Sequence, residues 1–253
     1  MILSLYTAAA GMSAQQFQID TISNNLANIN TSGYKRARPE FQDLLYLTLK
    51  RPAAPETPVG LDVGLGAYAA ASQTIFQQGD LQPTDNPLDV AISGRGFFVV
   101  RGPGGEEYYT RDGSFKRDAA GTLVTAEGYR VEVAGARPLP DADSITITRD
   151  GRLTYLDEQE NEVDAGSLVI VQFENPAGLE KIGHNLYRAS TASGAANRTL
   201  EESTVEQRFL EASNVRVVDE LISLITAQRT YELNSKAVQA SDELLSIVNN
   251  LRR

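Results

Sequence analysis

Apolar residues recur every seven positions at both ends of the chain, and this constrains the fold more than any other feature. Leu5, Met12, Ile19 and Leu26 form one line, with Ala8, Ile22 and Ile29 on the adjoining one and Gln15 interrupting it. At the far end Val217, Leu224, Tyr231, Val238 and Leu245 repeat the spacing, and Ala237, Leu244 and Leu251 form a second line. A seven-residue apolar period predicts helices that pair along a seam. The first helix is expected from Ile2 to about Asn30 and the second over Val217–Leu251. Asn24, Asn25 and Asn28 are poor helix formers, so the first needs a partner to be stable. Ser213 or Asn214 is predicted to cap the second, with Asp219 and Glu220 placed where the helix dipole favours negative charge. Two apolar lines on one helix imply more than one neighbour. Gln228, Arg229, Asn234, Ser235 and Lys236 would then fix register or face a channel. The plainer reading is that both ends pack on the rest of the same chain or on each other.

Between the ends the texture changes to short runs of Val, Ile, Thr, Tyr and Phe, with turn signals every ten residues or so from about Gln73 to Gln207. Asp112-Gly113 and Asp150-Gly151 are the strongest hairpin signals, and the preceding Thr110-Arg111 and Thr148-Arg149 hint at a duplicated hairpin. Lys50–Gly66 carries Pro52, Pro55 and Pro58 with three glycines, which excludes regular helix and most central strand and reads as an extended connector. The fold class expected is therefore α+β. A discontinuous helical coiled-coil domain (1–34 and 211–253) is joined through the connector (35–72) to an all-β domain (73–210).

Composition removes several functions. Lys plus Arg number 23 against 33 Asp plus Glu, a formal charge of -10, so no domain-wide basic surface exists for nucleic acid. The chain has no Cys, which removes disulfides, thiolate metal sites and Cys nucleophiles together. No apolar run approaches the ~18 residues of a membrane-spanning helix. The opening MILSLYTAAAGM resembles the apolar part of a signal peptide but no Lys or Arg precedes it, and it reads as the first turns of a helix.

Candidate chemistry is thin. His184 lies in a Gly-His-Asn loop context and reads as a loop residue. Gly94-Arg95-Gly96 lacks the third glycine of a nucleotide loop and runs into Phe97-Phe98-Val99-Val100, a strand where a helix is needed, so no cofactor is expected. Glu106, Glu107, Asp157, Glu158, Glu160 and Glu162 sit in predicted turns, where solvated charge is the default and nothing selects a catalytic pair. Asp141 and Asp143 lack the Gly and the closing Glu of a calcium loop. A secreted β-domain hydrolase with helical ends would need a cleft carrying paired carboxylates, and an adhesin or capsid-like module would share self-assembly but would not need both ends.

Three segments carry a resemblance to a known family. SNNLANINTSGYKR at Ser23–Arg36, with Asn24, Asn25, Leu26, Asn28, Gly33, Tyr34 and Lys35, resembles the N-terminal signature of bacterial flagellar rod, hook and hook-associated axial proteins. GRGFFVV, YTRDGSF and GTLVTAEGY within Gly94–Tyr129 are similar to the β domain of rod and hook subunits. EASNVRVVDELISLITAQRTYELNSKA at Glu211–Ala237 is most like the distal segment of the rod. The proline-rich stretch after Asp43–Tyr46 points the same way, with a proximal rod or hook-type axial subunit as the alternative. The resemblance implies a non-enzymatic subunit of a hollow helical shaft. Leu5, Met12, Ile19, Ile22, Leu26, Leu224, Tyr231, Val238, Leu244, Leu245 and Leu251 would be its assembly positions. It further implies terminal helices lining the channel and export through the flagellar type III apparatus without a cleaved signal peptide. It implies location in the basal body within the periplasmic space, and no cofactor. The partners implied are further copies of the chain, proximal rod subunits, the hook subunit and the surrounding rings.

Overall fold

A computed structural model describes residues 2–50, 60–139, 145–157, 161–198 and 203–251, without the side chains of Ile2, Val248, Asn249 and Leu251. Pro52, Pro55, Pro58, Asp141, Asp143, Glu158 and Glu160 lie outside the described residues. The class is α+β, as expected, with a helix at each end and strands between. The chain divides into two compact units. One comprises Met1–Ala27, Ala37–Thr74 and Arg216–Arg253; the other comprises Asn28–Arg36 and Ile75–Val215.

In the first unit, helices α1 (Ile2–Ala27) and α2 (Val217–Leu251) run antiparallel. Helix α1 stops three residues before the expected Asn30, and 28–30 form a turn. Helix α2 has 35 residues, about 52 Å at 1.5 Å each. Its cap is not the expected one. With the helix starting at Val217, that position falls on Arg216, while Asn214 commits its amide to the backbone of Arg36, Ile75 and Gln77 in the second unit.

The rest of this unit is an antiparallel arm. Strand β1 (Ala37–Asp43) pairs with β4 (Ala67–Thr74), with a bulge at Glu40/Phe41, and β2 (Tyr46–Lys50) pairs with β3 (Leu61–Gly64). The Leu44 N–H donates to Gly66 O at 2.7 Å and the Leu65 N–H to Leu45 O at 3.3 Å, which makes the two ladders one continuous hairpin. Much of the stretch expected as an extended connector is thus paired strand. Helix α1 lies along β4, where Ala67, Ala69, Ala71 and Ser72 are small enough to allow close approach.

The second unit is built around Phe97–Arg101. That strand pairs with 107–110 on one side and 130–131 on the other, and also with 170–171. Its four apolar residues are all buried, and their alternation sends them to opposite faces. Phe98 and Val100 join a core with Val90, Ile92, Phe115 and Leu153. Phe97 and Val99 join a second with Tyr109, Phe173 and Tyr187. A four-stranded sheet, ordered 133–134, 162–168, 152–156, 145–147, supplies Ile145, Ile147, Leu153 and Leu168 to the first core.

Only one of the two expected hairpins forms. At Asp150-Gly151 the flanking strands pair, Ile147 opposite Leu153, and the Gly151 N–H donates to Thr148 O at 2.8 Å. At Asp112-Gly113 they do not, because 107–110 pairs with 97–101 and 186–188 whereas 116–117 pairs with 123–124. Asp112 Oδ1 instead accepts the Ser114 N–H at 3.1 Å, and the Val90 N–H donates to Gly113 O at 3.1 Å. The chain crosses to the 90–93 strand there, and the hint of a duplicated hairpin falls with it.

The second core makes a test in alkaline solution. Burial pushes the Tyr187 hydroxyl well above its ordinary 10.0. The folded chain therefore keeps this proton while the unfolded chain loses it above about pH 10, so stability falls as pH rises through that range. Tyr187→Phe should be near neutral at pH 7. Between about pH 10 and 12 urea unfolding should show the variant losing less stability than wild type, the gap widening by up to about 1.4 kcal/mol per pH unit. Parallel curves would contradict this.

Candidate functional site

Two features stand out: the helix pair and the loop that carries the signature residues. In the pair, Ser4 Oγ lies 3.4 Å from Ser241 Oγ, and Asn25 Nδ2 donates to Glu220 Oε2 at 3.5 Å. A Cβ on Gly11 would lie 2.9 Å from Asn234 Nδ2. Positions 4, 11 and 25 thus face 241, 234 and 220, and the same register sets Gln18 against Ala227. Small and polar residues let the helices approach closely, and the apolar lines flank them. Ile22 is buried; Leu5, Met12, Ile19, Leu26, Leu224, Val238 and Leu245 are half-buried. Asn234, one of the polar residues expected to fix register, is in this seam.

The remainder of α2 is uncovered. Tyr231 is at the margin of exposure, and Leu244 is 53 % exposed, off the seam. Val218, Leu221, Ile222, Ile225, Leu233 and Ile247 are also exposed. One helix partner covers one stripe, and these residues occupy the rest of the circumference. Leu251 belongs to the helix, but its side chain lies outside the description.

The loop Asn28–Arg36 belongs to the second unit although α1 and β1, on either side of it, belong to the first. Asn24, at the end of α1, is exposed, whereas Asn25 is buried and grips the start of β1: Oδ1 accepts the Ala37 N–H at 3.0 Å and Nδ2 donates to Ala37 O at 2.9 Å. Asn28 O accepts the Thr31 N–H at 3.2 Å, which closes the turn after the helix. Tyr34 lies under Lys181, whose Nζ is 5.7 Å from the ring centroid. Lys35 is fully buried. Its ammonium donates to Gln77 O at 2.9 Å and to Glu211 Oε1, which also accepts the Gly79 N–H at 2.8 Å. Glu211 Oε2 accepts Arg111 Nη1 at 3.2 Å. Burial holds Lys35 below the ordinary lysine range even though Glu211 pulls the other way, and it lowers Arg111 likewise. Two cations and one carboxylate therefore share a dry site. Isolated charges there would cost several kcal/mol each, so the carboxylate is what makes the arrangement tolerable. Its chemistry is electrostatic fastening of loop to strand, with no nucleophile or proton acceptor left open to solvent.

Gly33 completes the fastening. It sits at φ 69° and donates its N–H to Glu211 O at 2.7 Å. A Cβ there would lie 2.6 Å from Asp112 N and 2.7 Å from Arg111 C, both backbone atoms. Gly33→Ala should destabilise the second unit by about 2 kcal/mol or more, combining left-handed strain with the clash. Chemical denaturation checks it, and a loss below about 0.5 kcal/mol would be the wrong sign of evidence.

Sequence reasoning missed the line Ser4, Gly11, Gln18 and Asn25, because it sought apolar residues and the closest approach is made by small and polar ones. It also missed Arg111 and Glu211. Their heptad-free, charged character marks them as surface, and their partners are 100 and 176 positions away.

Comparison with known proteins converges on one family. The profile described as "Flagella basal body rod protein" matches residues 5–35, "Flagellar hook protein FlgE/F/G D1 domain" matches 91–155, and "Flagellar basal body rod FlgEFG protein C-terminal" matches 206–251. The chain is 44 % identical over 271 residues to "Flagellar basal-body rod protein FlgG" of Borreliella burgdorferi, covering 100 % of both chains. The protein of the same name from Agrobacterium fabrum is 44 % identical over 97 % of this chain and 98 % of its own. That from Caulobacter vibrioides is 42 % identical over 98 % and 99 %. With full-length similarity at this level, and with profiles matching both helical ends and the β unit between, the chain belongs to the FlgG family of flagellar basal-body rod proteins.

Proposed function

We propose that this chain is a structural subunit of the distal part of the flagellar rod, polymerising into a hollow drive shaft that transmits torque and passes exported proteins. The observation that carries the proposal is the outward face of α2, where large aliphatic residues remain exposed once α1 has taken its own stripe. Burying that face between copies supplies the driving force, at about 25 cal/mol per Å² of apolar surface. Leu5, Met12, Ile19, Ile22, Leu26, Leu224, Val238 and Leu245 serve assembly by holding α1 on α2, Tyr231 and Leu244 lie on the face offered to a neighbouring copy, Leu251 extends the same helix, and the two helices form the inner wall of the tube. The Asn24–Lys35 signature sets how each copy's loop is fastened. The stretch bearing Pro52, Pro55 and Pro58 marks the distal segment.

The role is mechanical, and no reaction or cofactor is assigned to it. The chain travels through the flagellar type III apparatus and resides in the basal body across the periplasmic space. It meets further copies of itself, proximal rod subunits, the hook subunit and the surrounding rings. None of the helices among the described residues is long and apolar enough to cross a membrane.

The test is incorporation. Chains lacking 2–27 or 217–251, tagged and expressed in cells without the wild-type chain, should be absent from purified basal bodies and should not restore swimming. Recovery of either deletion in basal bodies at wild-type level would sink the proposal.

A further inference from the structure

A cleft of about 540 Å³ opens on the second unit beside the buried charges. Its walls include Phe97, Phe173, Arg95, Arg111, Gln172 and Asn197. Arg111 is 3 % exposed and spends Nη1 on Glu211 and Nη2 on Gly94 O at 2.8 Å, while its Nε has no hydrogen-bond partner. Arg95 is exposed and has no ion-pair partner among the described residues. Glu174 is the one carboxylate lining the cleft. Around it, then, Lys35, Arg111 and Arg95 stand against Glu211 and Glu174, an excess of positive charge in a chain that is otherwise strongly acidic. The Arg111 Nε is closed off from solvent, so this guanidinium acts on the cleft as a charge behind its wall, and the exposed Arg95 is the donor a carboxylate can reach. The phenylalanines suit the short apolar stem of an acidic side chain.

We propose that this cleft receives a glutamate or aspartate side chain from a second copy of the chain, held by Arg95 at the mouth against the Arg111 charge behind it. The choice of occupant rests on the self-assembling role above and on charge complementarity. With 33 acidic against 23 basic residues, a neighbouring copy presents carboxylates more often than cations.

Two experiments decide it. The full-length monomer is titrated with N-acetylglutamate N-methylamide while the backbone amides of Gly96, Gln172 and Asn197 are followed by NMR. Saturable shifts are expected at millimolar concentration. The glutamine analogue, and the Arg95→Gln variant, should each bind at least about fivefold more weakly, the scale expected for losing a charge-assisted contact. No shift, equal binding of the neutral analogue, or equal binding by Arg95→Gln overturns the cleft as a carboxylate site. Arg95→Glu should raise the concentration needed for assembly in vitro by about tenfold, as like charges meet, with an unchanged thermal midpoint. Wild-type assembly of this variant overturns the second copy as occupant. Failure of the unsubstituted chain to assemble would count against the rod role instead, and the titration would still decide the cleft.

Discussion

Glu211→Ala should cost the second unit about 3–5 kcal/mol, because it leaves two buried cations facing each other with no counter-charge. Lys35 and Arg111 are 0 % and 3 % exposed, so neither can turn to water without opening the loop that Lys35 anchors. The contrast with Lys35→Met makes the prediction specific. That change removes one cation and leaves Glu211 paired with Arg111, so its loss should stay below about 2 kcal/mol, mainly the donor taken from Gln77 O. Both losses should be the same at about 0.05 and 0.5 M salt, since screening acts little on pairs shielded from solvent. Guanidinium is a salt, so urea is the denaturant to use. If Glu211→Ala falls within about 1 kcal/mol of wild type, or costs less than Lys35→Met, the carboxylate is not what holds the cluster together.

Ile222→Glu combined with Ile225→Glu should abolish assembly while leaving the monomer folded. Both residues are exposed in the single chain, at 59 % and 51 %, so glutamate there costs the monomer little. Covered by a neighbouring copy, each isoleucine contributes about 1.5–3 kcal/mol, and each glutamate would instead bring an unpaired charge into an apolar contact. The effect repeats at every subunit contact. Circular dichroism should match wild type, and sedimentation should show no polymer at concentrations where wild type polymerises. Normal polymer would mean that this face looks outward in the shaft.

The sequence showed where the helices are and less of how they meet. Val217, Leu224, Tyr231, Val238 and Leu245 announce α2 because an apolar heptad survives inspection in one dimension. The partner line on α1 is Ser4, Gly11, Gln18 and Asn25, which no hydrophobic pattern can reveal. The Phe97–Val100 strand was legible for the opposite reason: four apolar residues in a row describe a strand covered on both faces. Asp112-Gly113 misled because the same dipeptide serves a tight hairpin and a crossing, and only the partner strands distinguish them. The arm was obscured by Ala67, Ala69, Ala70, Ala71 and Ser72, small residues that give no apolar alternation although they are what lets α1 lie close. Lys35 and Glu211 could not be matched at all. A burial of that kind depends on what the intervening 176 positions do.

The helical unit closes only when the two extremes of the chain meet, Ser4 with Ser241 and Asn25 with Glu220. Contacts this remote in sequence come late in folding, since the entropy of closing so large a loop must be met before they return anything. Helix α1 therefore stays without α2 until Val217–Leu251 is present. A product that stops before Val217 never completes that pairing, so only a chain that includes α2 can offer its neighbours a paired helical surface.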